Sequence, residues 1–284
     1  MTKIFVREIR KEDIEDIIDI LKSAKLDFPW GLFYNATYFD IEDIWDSYRG
    51  LKDYRTIVAE IDGKVVGFLE YFPHWSEKKN MYIELIITHK DYRGLGVGRT
   101  LIKHCLARAI SKDYEVLSLH TWGSNRAVHL YRKTGFVWIP STYVYMKNFS
   151  PRLFKYDELK KIFKNPESLI DCLVDPAQKI LINDHVAWKY TWRIEKREIE
   201  AIFHSKTGYL MGLRIDNDSI QVRPPKNIEY IEKKNVPIEI ITSSPINAYI
   251  DEKIFALSPG TNKVTIKAKK NINLRLVPMT LVLV

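Results

Sequence analysis

Apolar positions in the first half of the chain change period several times, and each change marks an element. Lys3 to Ile9 alternates as a strand does. Ile14, Ile17, Ile18 and Leu21 then recur at helical spacing, so a helix is expected over Lys11 to Ser23. Its first turns carry Glu12, Asp13, Glu15 and Asp16, which suit the positive end of the helix dipole. Lys25 to Arg55 has no clear period but is dense in rings: Phe28, Trp30, Phe33, Tyr34, Tyr38, Phe39, Trp45 and Tyr48. A short helix fits Ile41 to Tyr48, and the segment reads equally as a substrate-cleft wall or a small satellite core. Thr56 to Ile61 and Lys64 to Phe72 are strands joined by Asp62-Gly63, a strong two-residue hairpin signal. Tyr82 to Thr88 is an apolar strand, and after a polar turn comes a helix with Leu101, Ile102, Cys105, Leu106 and Ala109 on one face. Val116 to Thr121 is a strand. Asn125 to Thr134 is a helix, capped by Ser124 or Asn125 and ended by Gly135. Phe136 to Ile139 and Tyr143 to Met146 are strands about a Pro140-Ser141 turn. The order β-α-α-β-β-β-α-β-α-β-β is an α/β (α+β) layout with a mixed sheet and flanking helices.

After Ser150 the pattern changes. Two short helical pieces, Pro151 to Lys164 and Pro166 to Pro176, give way to strands almost alone, with turn signals at about ten-residue spacing. That predicts a mainly β, sandwich- or barrel-like domain. Trp188, Tyr190 and Trp192 alternate with Lys189, Thr191 and Arg193, so one face of this strand is aromatic and reads most simply as core. The expected division is residues 1–148, a linker over 149–178 and an all-β domain over 179–284.

Length and composition are consistent with this. The 284 residues suffice for two domains, and 46% hydrophobic content supplies a core for each. No run of 18 apolar residues occurs, so no membrane span is expected. The charged N-terminus lacks a signal-peptide core, which makes the cytoplasm the default compartment. The only cysteines, Cys105 and Cys172, form no CxxC or Cys/His cluster, and no metal is expected. The net charge of +8 is uneven, +2 over residues 1–150 and +6 over 151–284. A lysine-rich solvated surface accounts for the excess, and nucleic acid is not an expected partner.

The chemistry concentrates in Met81 to Ile110. Arg93-Gly94-Leu95-Gly96-Val97-Gly98 lies between a strand and a helix, where glycines expose backbone N–H groups and the helix adds a partial positive charge. Such a turn binds a phosphate or pyrophosphate. A P-loop reading fails, because position 93 is arginine and Gly98 is followed by Arg99-Thr100 rather than Lys-Ser/Thr. A dinucleotide fingerprint fits poorly, because the spacing is G-x-G-x-G and three strands precede it. The remaining pattern is Arg-x-x-Gly-x-Gly after a strand.

Here the chain resembles the GNAT superfamily of N-acetyltransferases. Leu85-Ile86-Ile87-Thr88-His89-Lys90-Asp91-Tyr92-Arg93-Gly94 resembles the family's strand and turn, and Asn125, Ala127, Leu130-Tyr131 and Gly135-Phe136 resemble its second block. The likeness covers residues 1 to about 148.

The resemblance implies acetyl-CoA as cosubstrate, lying between two splayed strands. Ile86, Ile87 and Thr88 would pair with the pantetheine arm. The amides of Arg93, Gly94, Leu95, Gly96, Val97, Gly98, Arg99 and Thr100 would hold the pyrophosphate, and Asn125 would contact the cofactor arm. Tyr131 would return a proton to the departing thiolate, and an amine would attack the thioester directly. Glu84, the one carboxylate on the central strand, is the leading base, with Glu70, His74 and His120 behind it. The implied acceptor is an amine on a small molecule or a peptide, with its contacts sought in 28–48 and Tyr71 to Trp75. The β domain would wall the acceptor cleft, recognise a macromolecular acceptor or form a homodimer. The alternative is a non-catalytic acyl-CoA sensor whose basic β domain binds nucleic acid or a protein.

Overall fold

The computed structural model describes residues 3–24, 55–139, 144–223, 235–250, 253–267, 272–276 and 279–283. The aromatic segment at 25–54 and the Pro140-Ser141 turn lie outside the described residues. By its contacts the chain divides into two units, residues 1–130 with 140–147, and residues 131–139 with 148–284.

The first unit is built on β1 (Phe5–Glu8), β2 (Arg55–Ile61), β3 (Lys64–Pro73), β4 (Asn80–Thr88), β5 (Val116–Thr121) and β7 (Val144–Asn148), adjacent in the order β1-β2-β3-β4-β5-β7. Pairings from β1 to β4 are antiparallel, and β4 meets β5 in parallel. A parallel neighbour needs a crossover, here the helix α2 (Val97–Ser111); α1 (Ile14–Ala24) precedes β2. The β2–β3 turn uses Asp62 at φ 49° and Gly63 at φ 82°, the positive pair that a tight hairpin requires.

Helices cover both faces of this sheet. Ile17, Ile20, Leu21 and Ala24 of α1 pack with Val58, Phe68 and Ile87. The neighbouring Gly67 points to the opposite face, as alternation demands. A Cβ there would lie 2.8 Å from Val97 Cγ1 and 2.9 Å from the Ile87 carbonyl oxygen. The absent side chain is what lets the first turn of α2 settle directly on β3. At the other end, the Arg7 guanidinium reaches Asp13 at 2.7 and 2.8 Å and Glu60 at 3.0 Å, joining β1, the approach to α1 and β2.

The second unit holds β6 (Val137–Ile139), the short helices α4 (Asp157–Ile162) and α5 (Pro166–Asp171), and strands from residue 173 onward. Among the described residues the strands form two sheets, one of eight strands and one of four, with antiparallel pairing throughout. In the larger sheet, β10 (His185–Ile194) pairs with β11 (Arg197–His204) so that Trp188, Tyr190 and Trp192 lie opposite Phe203, Ala201 and Ile199. Tyr190 and Trp192 are fully buried, and their rings stack 5.3 Å apart. The opposite face carries Lys189–Glu200, Arg193–Glu198, Arg214–Glu200 and Arg214–Glu198 pairs. The aromatic face is therefore core. The charged face is a solvated ladder, whose partly exposed pairs add little stability individually.

Gly67→Ala should destabilise the first unit by about 1–3 kcal/mol, because the new methyl overpacks a contact with backbone on one side. A lowered denaturant midpoint is the expected reading; an unchanged midpoint would contradict this packing.

Candidate functional site

Two neighbouring strands part in the first unit, and the parting has a local cause. Glu70 lies opposite Leu85 and Tyr71 opposite Ile83, so Glu84 is an extra residue on β4 with no counterpart on β3. This is a β-bulge, which bends its strand and raises the local twist. β4 pairs with β5 only from Asn80↔Val116 to Ile83↔Leu119, stopping at the residue before the bulge. Beyond it, β4 stays paired to β3 alone, as far as Thr88↔Gly67. The His89 N–H donates to the Val66 carbonyl at 2.9 Å. Strand alternation then turns the N–H groups of Ile86 and Thr88 toward the open edge. The paired end is locked by the Ser118 hydroxyl donating to Asn80 Oδ1 at 2.9 Å, between two buried residues.

The glycine turn stands beside this edge. Gly94 at φ 81° and Gly96 at φ 93° take the left-handed conformation, and among the described residues, chain neighbours aside, a Cβ on either would meet no atom within 4 Å. Gly96 caps α2. A Cβ on Gly98 would come 3.1 Å from Leu130 Cδ2 and 3.7 Å from Thr88 Oγ1, so the helix start lies against the end of β4. Arg93 Nε closes the turn by donating to the Thr88 carbonyl at 3.3 Å. Among the described residues, the amides of Val97, Gly98 and Arg99 open the helix without a protein acceptor, as first-turn amides do. Two of the amides expected to meet the pyrophosphate, those of Thr100 and Arg93, have partners within the protein. The Thr100 N–H donates to the Gly96 carbonyl at 2.9 Å and its hydroxyl to the same oxygen at 3.1 Å, so this residue is committed within the helix. The Arg93 amide likewise points back to the Lys90 carbonyl, at 3.4 Å.

Strand pairing sets Tyr82 opposite Ser118, and His120, two residues further on, shares its face. His120 Nδ1 lies 3.1 Å from the Tyr82 hydroxyl. Rings surround the pair: Trp75 is edge-on to Tyr82 at 5.2 Å, His74 stacks on Trp75 at 4.0 Å, and Tyr145 stacks on His120 at 4.4 Å. Trp75 itself is 67% exposed, an unusual state for an indole held by so many neighbours. Desolvation, and then the nearby His74, lower the His120 pKa below the usual 6.5, with Glu77 acting against them. The imidazole is thus neutral at pH 7. Burial, and then Glu84, raise the Tyr82 phenol, which stays protonated.

Glu84 projects from the bulge and is solvent-exposed as a residue, yet partial desolvation raises its carboxyl above the usual range. Asn125 acts as a local cap: its Oδ1 accepts from the Ala127 N–H at 2.9 Å and its Nδ2 donates to Thr121 Oγ1 at 2.8 Å. The regular helix consequently starts later than its pattern suggested, as α3 (Val128–Lys133). Tyr131 lies on α3 in the second contact unit. It is buried, 6.0 Å from the Phe136 ring, and burial raises its pKa so that the phenol keeps its proton. Sequence reasoning held His120 as a secondary candidate and did not single out Tyr82. The signal was there in Tyr82 and Glu84, two residues apart on one strand, and in His120 ending the next, but only the register joins them.

The family model described as "Acetyltransferase (GNAT) family" matches residues 15–136. A Xenopus tropicalis chain named "Probable N-acetyltransferase camello" is 33% identical over 98 residues, 34% of this chain and 45% of that one. The match thus spans less than half of that relative's length. An N-alpha-acetyltransferase of Sulfurisphaera tokodaii is 30% identical over 142 residues, 45% of this chain and 78% of that one. Among solved structures, the PaiA N-acetyltransferase of Thermoplasma acidophilum in complex with coenzyme A aligns with 52% of this chain and 99% of its own, at 16% identity and a TM-score of 0.44. The likeness to the Sulfurisphaera protein, running across more than three quarters of that protein, shows that this chain belongs to the GNAT acetyltransferase family.

Proposed function

We propose that the chain transfers an acetyl group from acetyl-CoA to the α-amino group of a polypeptide. The observation that carries this reading is the open β4 edge, Leu85–Thr88, set against a glycine-opened helix start. The fit to a long acyl donor is direct. A free strand edge offers N–H and C=O groups to an extended amide-bearing arm, as in strand addition. The amides of Gly94 to Arg99 offer donors to a pyrophosphate, where a side chain on Gly94 or Gly96 would occupy the space. Acetyl-CoA, when bound, supplies an activated thioester. The acceptor class rests on the name of the Sulfurisphaera relative and on the exposed Trp75 beside Tyr82 and His120, which offers a platform to a first side chain.

In this reading His120 is the base. An ammonium must lose a proton before its nitrogen can form the amide bond, and a neutral imidazole can take it directly or through one water. The tautomer that donates Nδ1–H to the Tyr82 oxygen leaves the Nε2 lone pair to accept. Glu84, the leading base from sequence alone, takes another part as an exposed anion that draws the ammonium toward the parted strands. As the C–S bond breaks, Tyr131 donates its proton to the sulfur. Burial favours that role by keeping the phenol protonated.

Release of CoA thiol across a panel of amines tests the function. Peptides with free N-termini should support turnover, and N-blocked peptides and polyamines should not. If no amine in the panel supports thiol release, only acyl-CoA binding would remain and the enzymatic reading would fall. Variants test the roles. kcat/KM for the peptide should rise with pH through an ionisation below 6.5, because the base works only when deprotonated. His120→Gln should erase that limb and lower kcat by about 100-fold. Glu84→Gln should keep the limb and raise the peptide KM, and Tyr131→Phe should lower kcat with little change in acetyl-CoA affinity. A limb lost in Glu84→Gln and kept in His120→Gln would restore the carboxylate as base.

A further inference from the structure

We propose that Tyr145 is a positioning residue for the acceptor-side base: its ring clamps the His120 imidazole, and its hydroxyl anchors that clamp to the paired ends of β4 and β5. This rests on His120 being the base.

The two rings stack 4.4 Å apart with their planes 15° from parallel, and the Tyr82 hydroxyl holds the imidazole edge at Nδ1. One contact fixes the ring plane and the other its rotation within that plane. His120 lies one residue beyond the last pair of β5 with β4, so on the side of the opening these two side-chain contacts, and no β4 ladder, orient its ring. The clamp is itself held. The Tyr145 hydroxyl donates to Glu77 Oε1 at 3.2 Å, accepts from Asn80 Nδ2 at 3.1 Å, and lies 3.5 Å from His74 Nε2. Glu77 Oε2 in turn receives the buried Lys147 at 2.6 Å and Asn80 Nδ2 at 3.2 Å. Asn80 receives Ser118. Every hydrogen bond of this set ends on the paired portion of the strands, on the turn before β4 or on β7. The Tyr145 ring carries that order across the point where the strands part.

The arrangement also sets the surroundings of the imidazole. Among the described residues, the titratable groups around it are Tyr82 and Glu84 from β4, His74 and Glu77 from the segment after β3, and Tyr145 and Lys147 from β7. Lys147 pairs with Glu77 and so weakens the pull of that carboxylate toward a charged His120. The stacked phenol keeps water from one ring face. A simply structural tyrosine would change stability when truncated. A positioning residue would also change how His120 titrates.

Tyr145→Leu and Tyr145→Phe separate the two. Tyr145→Leu should lower kcat by about 10- to 100-fold, as misplacement of a reacting group does. It should leave the acetyl-CoA KM unchanged and move the His120 ring titration, read by NMR, up toward 6.5. Tyr145→Phe, which keeps the stack, should recover most of the loss. In the native chain the His120 ring protons should lie upfield of their usual positions, from the facing phenol, a reading that needs no variant to fold. Unshifted ring protons, or a folded Tyr145→Leu with native kcat and native His120 titration, would overturn the proposal. His120→Gln with full turnover would instead remove the base reading, whatever Tyr145 does to the titration.

Discussion

A parallel pair of strands holds together only while backbone donors meet acceptors in register, and the first unit rests on where that pairing stops. One extra residue, Glu84, puts β4 out of step with β3 and turns it away from β5 after Ile83. The turn costs the sheet part of a ladder. In return it leaves a strand edge inside the fold, beside the start of α2, where protein edges are otherwise paired or covered. Gly67 and Gly98 complete the arrangement by letting the helix start come down onto β3 and the end of β4. The side proposed for the acyl donor is thus almost wholly backbone, and its geometry depends on residues chosen for what they lack.

The acceptor side is the reverse, made of side chains. Buried Asn80 and Ser118 hydrogen-bond each other on the paired part of the two strands, so the parting begins from a fixed point. Tyr82, His120 and Tyr145 continue from there into the opening, with His120 held between the Tyr82 hydroxyl and the Tyr145 ring. Burial lowers the imidazole pKa and raises both phenols, which leaves a neutral imidazole and protonated hydroxyls near pH 7. The two sides meet at the bulge, where Glu84 ends one and begins the other.

Much of this was legible in the sequence because it is local. Asp62-Gly63 required a hairpin, Val116 to Thr121 alternated as the strand it is, and the Trp188–Tyr190–Trp192 stripe separated a core face from a charged one. The glycine turn was legible too, because glycine marks positive φ and close approach. The bulge was not. Glu84 sits in an apolar strand as an ordinary residue would, and only its partners on β3 show it to be extra. The same limit hid the pairing of Tyr82 with His120. Tyr82 and His120 are 38 residues apart in the chain, and nothing short of the β4–β5 register brings them to 3.1 Å. Thr100 erred the other way: its position suggested a ligand contact, and the first full helical turn claimed it. The start of α3 shifted because Asn125 satisfied its backbone neighbours as a cap before regular helix could begin.

The central claim is that the edge freed by the bulge is where the acyl donor's arm pairs with the chain. Residue-resolved hydrogen exchange with and without acetyl-CoA addresses it directly. The amides of Ile86 and Thr88 should exchange quickly in the free chain and slow by at least tenfold on binding, roughly what one new hydrogen bond of about 1.4 kcal/mol gives. Those of Tyr82 and Ile83, already within the β4–β5 pairing, should change little. Binding that leaves Ile86 and Thr88 exchanging at their free rates, with protection confined to the glycine turn, would contradict the account.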